Sequence, residues 1–254
     1  KIMLQFKRKR ENSIMLKRKA YDRLLEWKNQ DNKKALCIVG ARQVGKTTLI
    51  REFAKENYEN FIEINFYEEP DAVKIFSGNL DAETIITNLT AYTRKPMEAH
   101  KTLVLFDEIQ KYPNIRTAMK FLVADGRFDY IESGSLLGVS FREVVSFPVG
   151  FEEMYRMYPM DFEEFLWANG VQQSTFNYLK KAFDTLSPVS NSVHDTLKKL
   201  FYTYIVVGGM PEAVQIYVNT HDIAKVILFQ KEIITQYGHD VSQYVESNSD
   251  KQKI

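Results

Sequence analysis

One octapeptide constrains this chain more than anything else in it. Gly40-Ala41-Arg42-Gln43-Val44-Gly45-Lys46-Thr47 fits G-x-x-x-x-G-K-[ST] at every fixed position. The apolar run Ala35-Leu36-Cys37-Ile38-Val39 precedes it, as expected of a strand buried on both faces. Leu49, Ile50, Phe53 and Ala54 follow at helical spacing. Strand, glycine turn and helix together are the setting a phosphate loop requires. Gly40 and Gly45 are expected to adopt backbone conformations barred to residues with a Cβ. Successive N–H groups, those of Ala41, Arg42, Gln43 and Val44 among them, can then point inward as an anion nest. The helix starting near Lys46 adds its positive end. Lys46 can reach the β- and γ-phosphates as a mobile point charge, and Thr47 can offer its hydroxyl to Mg²⁺. Thr48 completes the loop but is expected to serve the helix. Arg42 and Gln43 sit at the crest, facing solvent or a partner.

A second signal lies downstream. Leu103-Val104-Leu105-Phe106-Asp107-Glu108 is an apolar strand ending in two carboxylates. Charge at the end of a buried strand is costly without a partner. In a fold built on a phosphate loop this strand end lies beside the loop. Asp107 would then hold Mg²⁺ opposite Thr47. Glu108 would orient or deprotonate the attacking water.

The remaining pattern sets the fold class. An amphipathic helix is predicted over residues 17–28, and a strand over Phe61–Phe66, which alternates apolar and polar residues. Asp71–Phe76, Ala82–Tyr92 and Ile115–Val123 read as helices. Tyr130–Ser133 reads as a strand, and Arg156–Met157 lies in a fifth one ending near Pro159. Strands alternate with helices, which predicts an α/β fold: a three-layer α/β/α core with a parallel sheet. After Asp161 the segments Phe162–Ala168, Thr175–Leu186, Ser192–Tyr204, Pro211–Val218 and Ile223–Tyr237 all favour helix.

Composition excludes several alternatives. Of the 254 residues 44% are hydrophobic and 26% charged, an ordinary globular balance. No apolar run reaches the roughly 18 residues that a bilayer span needs, and the basic N-terminus lacks a signal peptide's apolar stretch. The expected location is therefore cytoplasmic, with no membrane partner. The single cysteine, Cys37, rules out an intramolecular disulfide framework and reads as a small core residue. The four histidines show no metal-ligand spacing. The net charge of +1 gives no general reason for a nucleic-acid partner. Lys7-Arg8-Lys9-Arg10 and Lys17-Arg18-Lys19 nevertheless make a basic arm able to contact nucleic acid or another acidic partner. The chain opens on Lys, so Met3 and Met15 both stand as natural starts. The guanine-specific N-K-x-D tetrapeptide is absent, which leans toward ATP.

Six segments, GARQVGKTTLIREF, LVLFDEIQ, ESGSLLG, SFPVG, YPMDFEEFL and GGMPEAV, occur in this order. Together they resemble the AAA+-like P-loop ATPases of bacteria and archaea, which carry a C-terminal domain of unknown function after the ATPase core. The resemblance covers the chain from about Leu16 to its last residue. It implies a basic arm at 1–15, an ATPase core at 16–160, a helical lid at 161–206 and the start of a helical C-terminal domain at 207–254. Family members usually extend well beyond that point, so the domain is expected to be truncated.

The resemblance also assigns roles. Gly40, Gly45, Lys46 and Thr47 match the Walker A positions, and Asp107 and Glu108 match Walker B. Ser133, with Ser135 second, matches the sensor-1 segment that contacts the γ-phosphate or the attacking water; their hydroxyls could equally cap the following helix. Arg142 lies where an arginine finger would be supplied to a neighbouring subunit. No sensor-2 arginine stands near Gly208–Glu212. The implied activity is a slow, Mg²⁺-dependent ATPase. The alternatives are an ATP-dependent regulatory switch with little turnover and a nucleic-acid-associated ATPase, with the protein partner and oligomeric state open.

Overall fold

The computed structural model describes residues 16–135 and 150–244. The chain divides into two compact units. One runs from Ala20 to Tyr158; the other contains Pro159 onward together with the segment up to Lys19.

The first unit is built on a five-stranded sheet in the order β2-β3-β4-β1-β5, every pairing parallel. The strands are β1 (Ala35–Gly40), β2 (Asn60–Asn65), β3 (Thr102–Asp107), β4 (Asp129–Ser135) and β5 (Glu152–Arg156). β1 and β3 are buried along their whole length, as their unbroken apolar runs require. Helices α1 (Lys19–Lys28) and α2 (Lys46–Asn57) flank β1 in sequence, and α3 (Ala82–Thr93) and α4 (Ile115–Asp125) flank β3. Ala35, Cys37, Val39, Ile62, Ile64, Val104, Phe106 and Tyr130 form one core face with Ile85 and Leu89 of α3 and Ile115, Met119 and Leu122 of α4. Because strand side chains alternate, Leu36, Ile38, Leu103 and Leu105 face the other way. α2 buries Leu49, Ile50 and Phe53 and contacts β1, β2 and β3. The result is the α/β P-loop fold, with helices on both faces of a parallel sheet.

The differences from the sequence reading are local. Residues Pro70–Phe76 form a 3₁₀ helix, with Pro70 in its first turn where a missing N–H costs nothing. β5 spans Glu152–Arg156; it contains the predicted Arg156 and stops one residue short of Met157. It is a sheet edge whose sequence, EEMYR, lacks the apolar run that marks a buried strand.

One polar cluster lies inside this core. Cys37 and Glu132 are opposite each other in the β1–β4 ladder, and both are 0% exposed. Arg116, from the first turn of α4, donates from Nε to Glu152 Oε2 at 3.0 Å and pairs through a second nitrogen with the other oxygen. Burial, and then the neighbouring Glu152, push the Glu132 carboxyl well above the usual carboxylate range, against the pull of Arg116.

The second unit is helical: α5 (Phe162–Ala168), α6 (Gln173–Asp184), α7 (Asn191–Val207), α8 (Pro211–Thr220) and α9 (Ile223–Tyr244). Its core is Met160, Phe165, Val207, Ala213, Val214 and Val226. Asp161 and Glu164 make a capping box at the start of α5. Glu164 also accepts from Arg18 Nε at 3.2 Å and from the Lys19 backbone N–H at 2.7 Å. Gly209 is required by close approach, since a Cβ there would lie 2.1 Å from the Met160 carbonyl oxygen. α9 continues to Tyr244, past the predicted Tyr237. No described helix is long and apolar enough to cross a membrane.

Candidate functional site

The loop between β1 and α2 holds the octapeptide. Gly45 stands at the N-cap of α2 with φ 91°, the left-handed region that glycine occupies without penalty. Gln43 shares that region at φ 63° although it carries a side chain. Gly40 does not, which corrects the expectation for it. Its requirement is room: a Cβ would sit 2.4 Å from the Met157 carbonyl oxygen, where Met157 N–H donates to Val39 at 2.8 Å. Val44 is fully buried and anchors the loop, Arg42 and Ala41 are half-buried, and Gln43 and Thr48 are exposed.

Lys46 is 9% exposed and curls back over its own loop. Its ammonium donates to Gly40 O at 3.1 Å and Ala41 O at 2.9 Å. Burial holds it below its ordinary value; Glu108 and Asp107 pull the other way, and Arg42 adds to the lowering. An anion among the loop N–H groups would reverse that balance by giving the ammonium a counter-charge.

Parallel pairing brings the ends of β3, β4 and β1 to one edge, with β4 between the other two. Asp107 is 3% exposed and its carboxylate is the hub. Oδ2 accepts from Thr47 Oγ1 at 3.0 Å and from Asn65 Nδ2 at 3.4 Å; Oδ1 accepts from the Glu108 N–H at 3.0 Å and from the Ser133 hydroxyl. Thr47, Asp107 and Ser133 are thus in one hydrogen-bonded set. Ser133 is fully buried and donates its hydroxyl to Asp107; the helix it could cap lies outside the described residues. Ser135, 4% exposed, ends β4 opposite Gly40. Glu108 has left-handed backbone angles (φ 57°, ψ 43°), and its carboxylate accepts from the Gln110 side-chain amide. Arg142 and the basic arm at 1–15 lie outside the described residues.

Two participants escaped the sequence reading. Asn65 ends β2 in register with Asp107 and bridges that carboxylate to the Tyr67 and Glu68 N–H groups, at 2.9 and 3.1 Å. A polar residue closing an alternating strand was the available signal, but its meaning depends on β2 lying beside β3. Gln110 stands in the DEIQ segment, and its contact follows from the 3₁₀ turn Ile109–Lys111.

A family model described as an AAA domain matches residues 32–166, more than half of the chain. The chain belongs to the AAA domain family. A second model, a domain of unknown function (DUF8612), matches residues 198–254. No curated protein matches the sequence. Among solved structures, the AAA chain is similar to a Walker-type ATPase of Pyrococcus abyssi at 12% identity and TM-score 0.49, covering 90% of this chain and 76% of that one. It is also similar to the Aeropyrum pernix ORC1 protein in complex with DNA, at 14% identity and TM-score 0.42, covering 60% and 48%. Drosophila ORC bound to DNA gives 12% identity and TM-score 0.45, covering 85% and 66%. At these scores the three likenesses carry no weight for partner or substrate.

Proposed function

We propose that this AAA domain binds ATP with Mg²⁺ at Gly40–Thr48 and hydrolyses it slowly. The observation that carries this reading is the 3.0 Å hydrogen bond from Thr47 to Asp107. It joins the loop threonine to the strand-end carboxylate, the pair of oxygen donors that the chemistry needs on one side of a phosphate. The donor set fits a hard cation, since carboxylate and hydroxyl oxygens are what Mg²⁺ takes, with water filling other positions. Thr47 and Asp107 would hold it, and it would supply charge neutralisation between the β- and γ-phosphates.

The chain's own groups do the rest. The N–H groups of residues 41–48 and the α2 N-terminus bind the phosphate chain. Lys46 exchanges two carbonyl partners for phosphate oxygens. Glu108 accepts the proton of the attacking water. Ser133, held on Asp107, fixes that carboxylate's orientation, and Arg142 is the arginine offered to a neighbouring copy. Phosphate release by purified chain is the test. Lys46→Ala should abolish both ATP binding and release; Glu108→Gln should abolish release and keep binding. Unchanged release in both variants overturns the reading.

A second reading is favoured by one contact, the Gln110 amide on Glu108. While that hydrogen bond holds, the base is occupied, and binding rather than turnover would be the function. Nucleotide-dependent hydrogen-exchange protection in residues 160–240, with negligible turnover, supports this switch. Absence of such protection removes it.

A further inference from the structure

Away from the phosphate loop, on the sheet face covered by α3 and α4, the Cys37 sulfur and one carboxylate oxygen each of Glu132 and Glu152 all lie within 4.8 Å of one another. Nothing in the ATPase reading uses them. Cys37 and Glu132 are 0% exposed and the Glu152 side chain is 6% exposed. Both Glu132 carboxylate oxygens are buried without a hydrogen-bond partner among the described residues. A carboxylate in that state is heavily desolvated, so it either takes up a proton or needs an occupant to bind it.

The charges make the same point. Arg116 supplies one positive charge and is engaged by Glu152 through both oxygens. Among the described residues, Glu132 is then a second carboxyl that shares this guanidinium's field without a hydrogen bond to it. The bidentate pair uses two of the roughly four lone-pair directions of the Glu152 carboxylate, leaving others that can bind elsewhere.

We propose that Cys37, Glu132 and Glu152 form a binding site for a thiophilic divalent cation of the zinc class. One thiolate and two carboxylates are ligands that zinc accepts, and a thiolate among them selects against magnesium and calcium. Binding releases the thiol proton and any proton on Glu132. The bound set is neutral: three anionic donors against one dication and one guanidinium. A proton shared by the two carboxyls would also close the charge, but it would give the sulfur no role. The ligands come from β1, β4 and β5, so the cation would pin the edge strand to the sheet centre as the chain folds.

The site is closed to solvent, so the test loads it during folding. The full chain is produced in zinc-depleted medium containing Co²⁺ and purified with excess Mg²⁺, which occupies oxygen-only sites. The expected result is one cobalt per chain with thiolate-to-cobalt charge-transfer absorption in the near ultraviolet. Lys46→Ala should keep that band, separating it from the phosphate loop. Cys37→Ser and Cys37→Ala should abolish it, and Glu132→Gln should weaken cobalt retention by about 10-fold or more, since losing a ligand should cost at least what losing a partner of a ligand does. A folded wild-type chain without the band overturns the proposal, and so does a band that survives both Cys37 variants. A carboxylic-acid stretch in the infrared of the native chain, lost in Glu132→Gln, would then identify a proton as the occupant.

Discussion

Asp107 and Glu132 are carboxylates on adjacent strands, only one level apart, since Phe106 is the residue paired with Glu132. Both are buried, yet their surroundings are opposite. Asp107 accepts from four donors: Thr47, Asn65, Ser133 and the Glu108 N–H. Glu132 accepts from none of the described hydrogen-bond donors. Position in the sheet explains the contrast. Asp107 ends its strand, where neighbouring strand ends and the loop bring donors free of the ladder. Glu132 lies inside its strand, where backbone donors are committed to pairing and the facing helix offers Arg116, already bound to Glu152. A strand end can hold a negative charge; a strand interior keeps a carboxyl only with a counter-charge or a proton.

That contrast predicts that the two regions fail differently. The largest effect belongs to the strand end. Glu108→Gln keeps size and polarity and removes the proposed base, so steady-state phosphate release should fall by about 10²–10⁴-fold. Nucleotide affinity and urea midpoint should stay at wild-type values. A midpoint that fell with turnover would mean that Glu108 belongs to the fold rather than to the chemistry.

The next effect belongs to the interior. Arg116→Ala leaves Glu152 and Glu132 without the guanidinium and should cost about 3–5 kcal/mol, the range for breaking a buried pair. Urea unfolding followed by circular dichroism measures it. Nucleotide affinity of the molecules that remain folded should change little. A loss below about 1 kcal/mol, the scale of an exposed pair, would show that the cluster already holds another cation.

How far the sequence carried the reading follows the same division. The loop and the acidic strand end were legible because their chemistry is written in consecutive residues: a fixed spacing from Gly40 to Thr47, and an apolar run closing on Asp107-Glu108. Strand order was not. The donors that Asn65 and Ser133 give Asp107 come from residues 42 and 26 positions away, and exist because β2 and β4 both flank β3. The interior cluster was invisible for the same reason. Cys37 reads as a small core residue, which it is, and nothing in residue order singles out Glu132 or Glu152 until the ladders set them around it. The start of β5 is not legible because an edge strand needs no apolar run. Gly40 was assigned the wrong cause, since close approach to Met157 depends on β5 leading back beside the loop.

Gly40→Ala sharpens that last point. The added Cβ would meet the Met157 carbonyl oxygen at 2.4 Å and the Val44 side chain at 3.2 Å. Backbone must move to relieve the first contact, so a loss of about 1–3 kcal/mol is expected, the range for overpacking. Thermal unfolding measures it, and because the loop starts at Gly40, ATP affinity should fall in step. Unchanged affinity alongside the stability loss would place the strain in β5 and not in the loop.

The smallest effect separates the two serines of β4. Ser133→Ala removes one of the four donors on Asp107 and leaves Thr47, Asn65 and the Glu108 N–H in place. The stability loss should be about 0.5–1.5 kcal/mol, the net worth of one hydrogen bond. The Mg²⁺ dependence of ATP binding should shift as well, because Oδ1 is then held by the Glu108 N–H alone. Ser135→Ala, two levels further along and opposite Gly40, touches no Asp107 contact and should leave the Mg²⁺ dependence where it was. If Ser135→Ala moves it and Ser133→Ala does not, the polar side chain acting on the phosphate is the one at the strand's last residue, and the Ser133 hydroxyl serves only to satisfy a buried carboxylate.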